Sequence, residues 1–486
     1  MPLRRLLASA CLTCVLSAVA LATPPTQPLP SPSPSQLLIN AAPWLAAPAA
    51  LHTARSSFPD ESTVQLYHLR YEQVVPSGLS ALLIQRVYAV RSRLGALMFA
   101  PDNVWYDSTR GHFQLLRADV WRRPQAEGAY AVVATGRDAG DVPGWSPGTE
   151  PRQIKLPPLR AGDRVSLLYA ILPDTTHDWS LLGGRFLGNM FAFRDSYATA
   201  GVRYVLAASQ PMAVSASGLP APQRGRTASG LETWRWEATN LPAFFQSVGG
   251  PAITAVSPFV QVSSFTTWAG MARWYNQVLD QRAEMSPALL ARLRAIARPH
   301  QTQPAAAAPD AAQSRAIVTR VWAYLSHHLL YRGNEEGIHA YVPAPVGEVF
   351  QRQQGDCKDG ALLLASWLRA VGVPAELALV RTRDMGPLAP SEAGGRVAAT
   401  MSAFDHALVY LPGTGQWLDT TAPHLVATVL PRGDQDSLAL LVRAASRRLV
   451  RVSQSPAAAS LTRTASPAGS RPATQVASRV AGGSVP

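Results

Sequence analysis

The 486-residue sequence predicts an α+β fold: an N-terminal β-sandwich-like domain, then a core in which a helix bearing a cysteine packs on an antiparallel sheet bearing a histidine and an aspartate. Three observations carry this prediction. Apolar residues alternate with a period of two, between turn residues, through much of residues 51–264. From about residue 265 the period becomes three and four, with Trp268, Met271, Trp274, Tyr275 and Val278 on one helical face. Finally, the polar stretch Gly355-Asp356-Cys357-Lys358-Asp359-Gly360 opens a long apolar run, and two short strand patterns follow it.

Taken in order, the chain divides as follows. Arg4 and Arg5 precede the apolar stretch Leu6 to Ala22, and Ala20-Leu21-Ala22 has the form of a cleavage site, so residues 1–22 read as a signal peptide. A retained membrane anchor is the alternative, since the run approaches ~17 residues. Residues 23–50, rich in proline, serine and alanine, read as an extended linker. Strand patterns follow at Val64–Tyr71, Leu82–Val90, Phe113–Trp121, Val165–Leu172, Val202–Ala207 and Trp234–Glu237, spaced as in a sandwich. Residues 265–312 read as a helical connector ending in an Ala/Pro-rich linker, and 313–445 as the core. Within that core, Ile317, Val321, Tyr324 and Leu325 mark a helix, and Leu363, Trp367 and Val371 mark a second one closed by Gly372. Ala375–Arg381, Ala403–Leu411 and Trp417–Thr420 read as strands, the last two joined by the turn Pro412-Gly413-Thr414-Gly415. Residues 452–486 read as a disordered tail.

The formal charge is +13, yet of 44 basic residues only Lys155 and Lys358 are lysines. Arginine dominance of this kind reflects genome composition more readily than a polyanion partner. No run of basic residues interleaved with aromatics occurs in the folded part, so nucleic-acid binding is not expected. With the leader removed no segment is long and apolar enough to span a bilayer, which points to a periplasmic or extracellular location. Removing it also removes Cys11 and Cys14, leaving Cys357 without an intramolecular disulfide partner in an oxidising compartment.

Cys357 is therefore the residue to explain. Asp356 is a good N-cap and Asp359, three residues later, completes a capping box, which puts Cys357 on the first turn of a helix. There the positive end of the helix dipole and unpaired backbone N–H groups favour the thiolate over the thiol and could stabilise an oxyanion. His406 lies on a strand with Leu408 and Tyr410 on its face. The following turn returns the chain so that Asp419 lands within a residue or two of His406, and Trp417, on the same face as Asp419, could shield the pair from water. A thiol nucleophile, a histidine base and an aspartate that orients the base are the parts of a catalytic triad. His339 and His424 remain alternative bases, His327 and His328 read as exposed helix residues, and a buried inert thiol remains the plain reading of Cys357. No metal or other cofactor is implied, since the Cys and His spacings match no zinc pattern and no loop gathers calcium ligands.

Together these motifs resemble the bacterial transglutaminase-like superfamily, relatives of papain-type cysteine enzymes. The resemblance rests on Gly355-Asp356-Cys357-Lys358-Asp359 running into Leu362-Leu363-Leu364, on Phe404-Asp405-His406, and on Trp417-Leu418-Asp419-Thr420. The approach segments Val321-Trp322-Ala323-Tyr324-Leu325 and Val346-Gly347-Glu348-Val349-Phe350 also fit. It implies a papain-like core in which Cys357 is the nucleophile, His406 the general base and acid, and Asp419 the orienting acid; Tyr331 is a candidate for the oxyanion side chain. Residues 55–290 resemble, more loosely, the β-rich domain of unknown function that precedes this core in envelope relatives, through Trp236-Glu237-Ala238-Thr239-Asn240-Leu241 and Pro258-Phe259-Val260-Gln261-Val262.

The expected function is acyl transfer on amide bonds of a protein or peptide substrate. Water, which needs no dedicated acceptor site, makes hydrolysis the expected outcome over cross-linking. The alternative is a non-catalytic scaffold that retains the core and binds an envelope polymer or another protein.

Overall fold

A computed structural model of the protein describes residues 31–46, 58–99, 103–123, 129–141, 151–247, 249–299, 308–333, 336–388, 397–427, 429–443, 446 and 448–453. The expected signal peptide with Cys11 and Cys14, the first part of the Pro-rich stretch and the tail from residue 454 lie outside these residues. The fold is mixed α and β, with a large β-rich region followed by a helix-and-sheet core.

The β-rich region is built on an eight-stranded sheet. Its spatial order is Gln223–Arg226, Glu232–Leu241, Thr199–Ala208, Thr63–Val74, Ser80–Val90, Arg164–Pro173, Gly111–Arg122 and Ala131–Thr135. The pairing is antiparallel except between Thr63–Val74 and Thr199–Ala208, which run parallel. All six strands read from the two-residue period are present, each extended by one to several residues. Two three-stranded sheets cover one face. Phe259–Ser263 brings Val260 and Val262 onto Tyr204, Leu206, Trp234 and Trp236. Asn103–Trp105 and Pro151–Lys155 bring Val104 and Ile154 onto Ile84, Tyr88, Leu167 and Tyr169.

The opposite face is closed by a helix that composition concealed. Residues 23–50 were expected to be an extended linker, but Pro34–Ala41 forms α1. Ser33 caps it by accepting the Gln36 N–H, and Pro34 sits at the first turn, where a missing N–H costs nothing. Leu37 and Ala41 are fully buried against Leu69, Tyr71, Leu83 and Val205. Asn40 donates to Gln73 at 3.0 Å, fixing the helix to the sheet.

The core begins earlier than its motifs. α2 (Trp268–Arg282) and α3 (Pro287–Ala297), expected as a connector, pack into the same apolar cluster as α4 (Ala311–His328), α5 (Val346–Arg352) and α6 (Cys357–Ala370). α6 is central: residues 358–368 are all buried, which is why its sequence is apolar nearly all round. Trp367 has no exposed surface and donates its indole N–H to the Leu293 carbonyl at 3.0 Å.

α6 lies on one face of an antiparallel sheet made of β1 (Glu376–Arg381), β2 (His406–Leu411), β3 (Gln416–Leu418), β4 (Leu438–Leu441) and β5 (Val450–Arg451), in the order β3-β2-β1-β4-β5. Leu377, Leu379, Ala407, Val409 and Leu440 face the helices. Ala378, Val380, Leu408, Trp417 and Ala439 form a separate cluster on the other face, joined by Val452. Val452 is fully buried and donates its N–H to Ser437, so the first residue of the expected tail belongs to the core. No helix among the described residues is long and apolar enough to cross a membrane.

The two regions are joined at the segment that leads into β2. Met401 N–H and Thr400 Oγ1 both donate to the Leu187 carbonyl, and Phe265 bridges Ala399. Gly188 makes this approach possible. Its φ is +108°, and a Cβ there would lie 1.9 Å from Thr400 Oγ1.

Candidate active site

Cys357 is the first residue of α6, and Asp356 precedes it as the N-cap. The Asp356 carboxylate accepts the N–H groups of Lys358 at 3.1 Å and Asp359 at 3.2 Å, and the Asp359 side chain returns to the Asp356 N–H, so the capping box is complete. Asp359 is itself held by the Ala344 N–H at 2.8 Å and by Arg352 at 2.7 Å. Burial, followed by the neighbouring Asp356 charge, pushes the Asp359 carboxyl up.

Lys358 is buried and ion-paired with Asp356. One expectation is corrected by this arrangement. The first-turn N–H groups are not all free for an oxyanion, because Asp356 occupies those of Lys358 and Asp359. The Cys357 N–H donates to no acceptor among the described residues and is the donor left beside the thiol.

His406 is the first residue of β2, opposite Val380 of β1. β3 pairs Trp417 with Tyr410 and Leu418 with Val409, a register that continued would set Thr421 across from His406. Asp419 thus lies two residues off the direct position, and His406 Nε2 reaches its Oδ1 at 3.2 Å. Thr421 fixes that carboxylate, donating from its N–H at 2.9 Å and from its hydroxyl at 2.8 Å. Cys357 lies near enough to the imidazole to act on its charge together with Asp419.

The electrostatics follow from these contacts. Burial works against a charged imidazole, but the Asp419 carboxylate and Cys357 outweigh it and raise His406 from 6.5 to about 11. Burial likewise works against the Asp419 charge, yet His406 and Thr421 hold the carboxyl below its ordinary range. Every residue of the expected Cys357, His406 and Asp419 set is therefore in one place. His327, His328 and His424 are exposed and lie elsewhere, and His339 sits on the turn Gly337–Ala340. Trp417, expected as a cover for the pair, packs instead on Tyr410 at 4.8 Å in the cluster on the far face of the sheet. Tyr331 pairs with Gly355, two residues before the thiol, and is half exposed.

Three further residues belong to the site without having been expected there. Thr421 anchors Asp419; its signal was the Asp-x-Thr spacing of a local turn. Tyr275 of α2 is buried beside the thiol, and burial followed by the Cys357, Asp356 and Asp359 charges pushes its hydroxyl far up; it donates to the Tyr341 carbonyl at 2.9 Å. Asp434, on the turn before β4, has its carboxyl against Asp419 and His406 and carried no sequence signal. Ligand-type atoms of His406, Asp419 and Asp434 lie within 4.8 Å of one another, and the first two bond each other directly.

A cleft of about 570 Å³ lies in the β-rich region, bounded by Glu72, Arg86, Tyr106 and Arg110, with Tyr341 of the core reaching its edge. It does not include the thiol; Tyr341 is its link to Tyr275 and so to the cysteine helix.

The family match and the first of the similar solved structures agree with this architecture. The Transglutaminase-like superfamily model matches residues 302–422. A solved structure described as a "putative protease", from Parabacteroides distasonis, is similar over 81% of this chain and 72% of its own, with a TM-score of 0.59 and 13% identity. Leukotriene A4 hydrolase from Saccharomyces cerevisiae covers 46% of this chain and 34% of its own, at TM-score 0.23 and 8% identity. An M1 zinc metallopeptidase from Deinococcus radiodurans covers 41% of this chain and 42% of its own, at TM-score 0.22 and 16% identity. No curated protein matches the chain. Residues 302–422, which contain Cys357, His406 and Asp419, form a domain of the transglutaminase-like superfamily carried behind a large β-rich region.

Proposed function

We propose that the protein is an exported cysteine enzyme that transfers acyl groups from amide bonds of a protein or peptide, with water as the usual acceptor. Cys357 is the nucleophile, His406 the general base and acid, and Asp419 the group that orients the imidazole. The observation that carries this reading is that the imidazole bonded to the Asp419 carboxylate also feels the Cys357 thiol. An imidazole so placed can take the proton of Cys357, whose sulfur sits at a helix N-terminus.

The chemistry can be written from these groups. Sγ attacks the carbonyl carbon, and the new oxyanion takes the Cys357 N–H, which has no other acceptor among the described residues. The C–N bond then breaks as the imidazolium gives its proton to the leaving amine, producing a thioester. Water adds to the thioester while His406 takes its proton. The C–S bond breaks and the thiolate returns. Asp419, locked by Thr421, keeps the imidazole in the tautomer and rotation that these proton transfers need.

Export rests on the leader pattern of residues 1–22. Mass spectrometry of envelope proteins and peptides incubated with the mature protein, with and without a small primary amine, tests the activity. New termini dependent on Cys357 are expected, without mass added from the amine. Products that carry the amine would make the protein a cross-linking enzyme. Products unchanged by Cys357→Ala would rule out the thiol chemistry and favour a binding role.

A further inference from the structure

We propose that Asp434 is a positioning residue for the Asp419–His406 pair: as a neutral carboxyl it holds the free edge of the Asp419 carboxylate, and its ionisation loosens the pair. The inference rests on the functional reading above and adds a pH-dependent element to it.

The geometry comes first. Asp434 is 3% exposed, and its Oδ2 is buried without a hydrogen-bond partner among the described residues. Its carboxyl is within 4.8 Å of both His406 and Asp419. On Asp419, Oδ1 already receives His406, the Thr421 N–H and the Thr421 hydroxyl, whereas among the described residues Oδ2 receives only that same hydroxyl, at 3.0 Å. One carboxylate thus has an open acceptor edge, and the neighbouring carboxyl has an oxygen that needs a partner. A proton on Asp434 meets both needs.

The turn that carries Asp434 is fastened on every side. The Gly433 carbonyl accepts the Arg383 N–H at 2.9 Å and the Ser437 hydroxyl at 2.8 Å, the Asp436 N–H reaches Val452 at 3.0 Å, and Gln435 bonds Leu430 at 2.8 Å. The side chain cannot easily withdraw toward solvent. Among charged groups, it faces Asp419, Asp405 and His406, with Arg383 and Asp384 on the neighbouring turn and Arg432 and Asp436 on its own. Burial is the main influence on Asp434. It and the two aspartates outweigh His406, and the carboxyl titrates at about 6. Below that pH Asp434 is a donor to Asp419. Above it, two carboxylates share a buried site and compete for one imidazole.

Asparagine at 434 keeps the shape and a donor but cannot ionise, whereas alanine removes the donor. The experiment measures the rate of Cys357 alkylation by iodoacetamide from pH 4.5 to 8 in wild type, Asp434→Asn, Asp434→Ala and His406→Ala. The ratio of Asp434→Asn to wild type should be near one at pH 5 and rise through pH 6, while Asp434→Ala should be slower at pH 5 by about tenfold. A flat ratio, or alanine matching asparagine at pH 5, overturns the proposal. If wild type is as slow as His406→Ala throughout, the triad reading itself fails; a fast wild type with a flat ratio refutes only the role of Asp434. Should a variant not fold, the ¹³C shift of the Asp434 carboxyl in wild type reads the same event. An inflection near pH 6 supports the proposal, and titration in the ordinary carboxylate range ends it.

Discussion

Gly360 offers a perturbation whose effect on the site can be worked out from distances. It stands three residues after Cys357 on α6, where the segment following β3 crosses the helix. A Cβ at this position would lie 2.4 Å from Thr420 Oγ1, 3.0 Å from Thr420 Cβ and 3.2 Å from Leu329 Cδ2. The hydroxyl can rotate and the leucine can yield, but Thr420 Cβ can retreat only with its backbone, and ordinary contact begins at 3.4 Å. Thr420 sits between Asp419 and Thr421, so any retreat moves the carboxylate that orients His406. Overpacking costs about 1–3 kcal/mol, and exchanging glycine for alanine in a helix returns about 1 kcal/mol. Gly360→Ala should therefore fold with a stability loss of about 0–2 kcal/mol. A displacement of several tenths of an ångström up to about 1 Å should nevertheless slow thiol chemistry by roughly 10- to 100-fold. Alkylation rates at pH 7, read beside a thermal melt, test this. Adding Thr420→Ala, which removes a hydroxyl that is buried without a partner, should restore most of the rate. Wild-type reactivity in Gly360→Ala, or a loss that merely tracks unfolding, would refute the reasoning.

Two further predictions concern stability. Asp356→Ala should destabilise the protein by at least about 1–2 kcal/mol in urea titration, because it removes the cap of α6 together with the buried ion pair to Lys358. Asp356→Asn, which can still cap, should fall between, and a loss under about 1 kcal/mol for alanine would contradict the buried pair. His406 is raised from 6.5 to about 11, so the stability it contributes is complete below pH 6.5 and is lost as pH rises toward 11, by at most about 1.4 kcal/mol per unit. In a Cys357→Ala background, which removes the titration of the thiol, the stability advantage of His406 over His406→Asn should shrink between pH 7 and 10; an advantage that grows would reverse the sign of the argument.

Much of this architecture is legible in the residues because local and global preferences agree. The strands of the large sheet are long and alternate, and the capping box before Cys357 sits at the junction of a polar stretch and an apolar run. The Pro412–Gly415 turn then sets the register of His406 and Asp419 to within two residues. What stayed hidden depends on contacts that no window of sequence contains. α1 lay within Pro/Ser/Ala composition, and only the sheet face it covers gives its short apolar stripe of Leu37 and Ala41 a purpose. Arg137–Asp141 pairs as a strand although Arg-Asp-Ala-Gly-Asp has no apolar alternation, since the backbone ladder with Pro151–Lys155 does not depend on side chains. The burial of Lys358 follows from the helix entering the core one turn from its cap. Asp434 lies on an Arg-Gly-Asp-Gln turn that looks solvated, and only the β1–β4 pairing carries it under His406.

The central claim is that His406 activates Cys357. Its most direct test is the rate of alkylation of the mature protein from pH 4 to 10, with His406→Ala and Asp419→Asn alongside. Cys357 is the free cysteine among the described residues, and with the leader removed the readout is a single thiol. The account predicts rapid reaction that persists below pH 7 in wild type, is abolished in His406→Ala and is weakened in Asp419→Asn. A slow reaction that rises only around the free-thiol value of ~8.5 and is indifferent to both substitutions would contradict it.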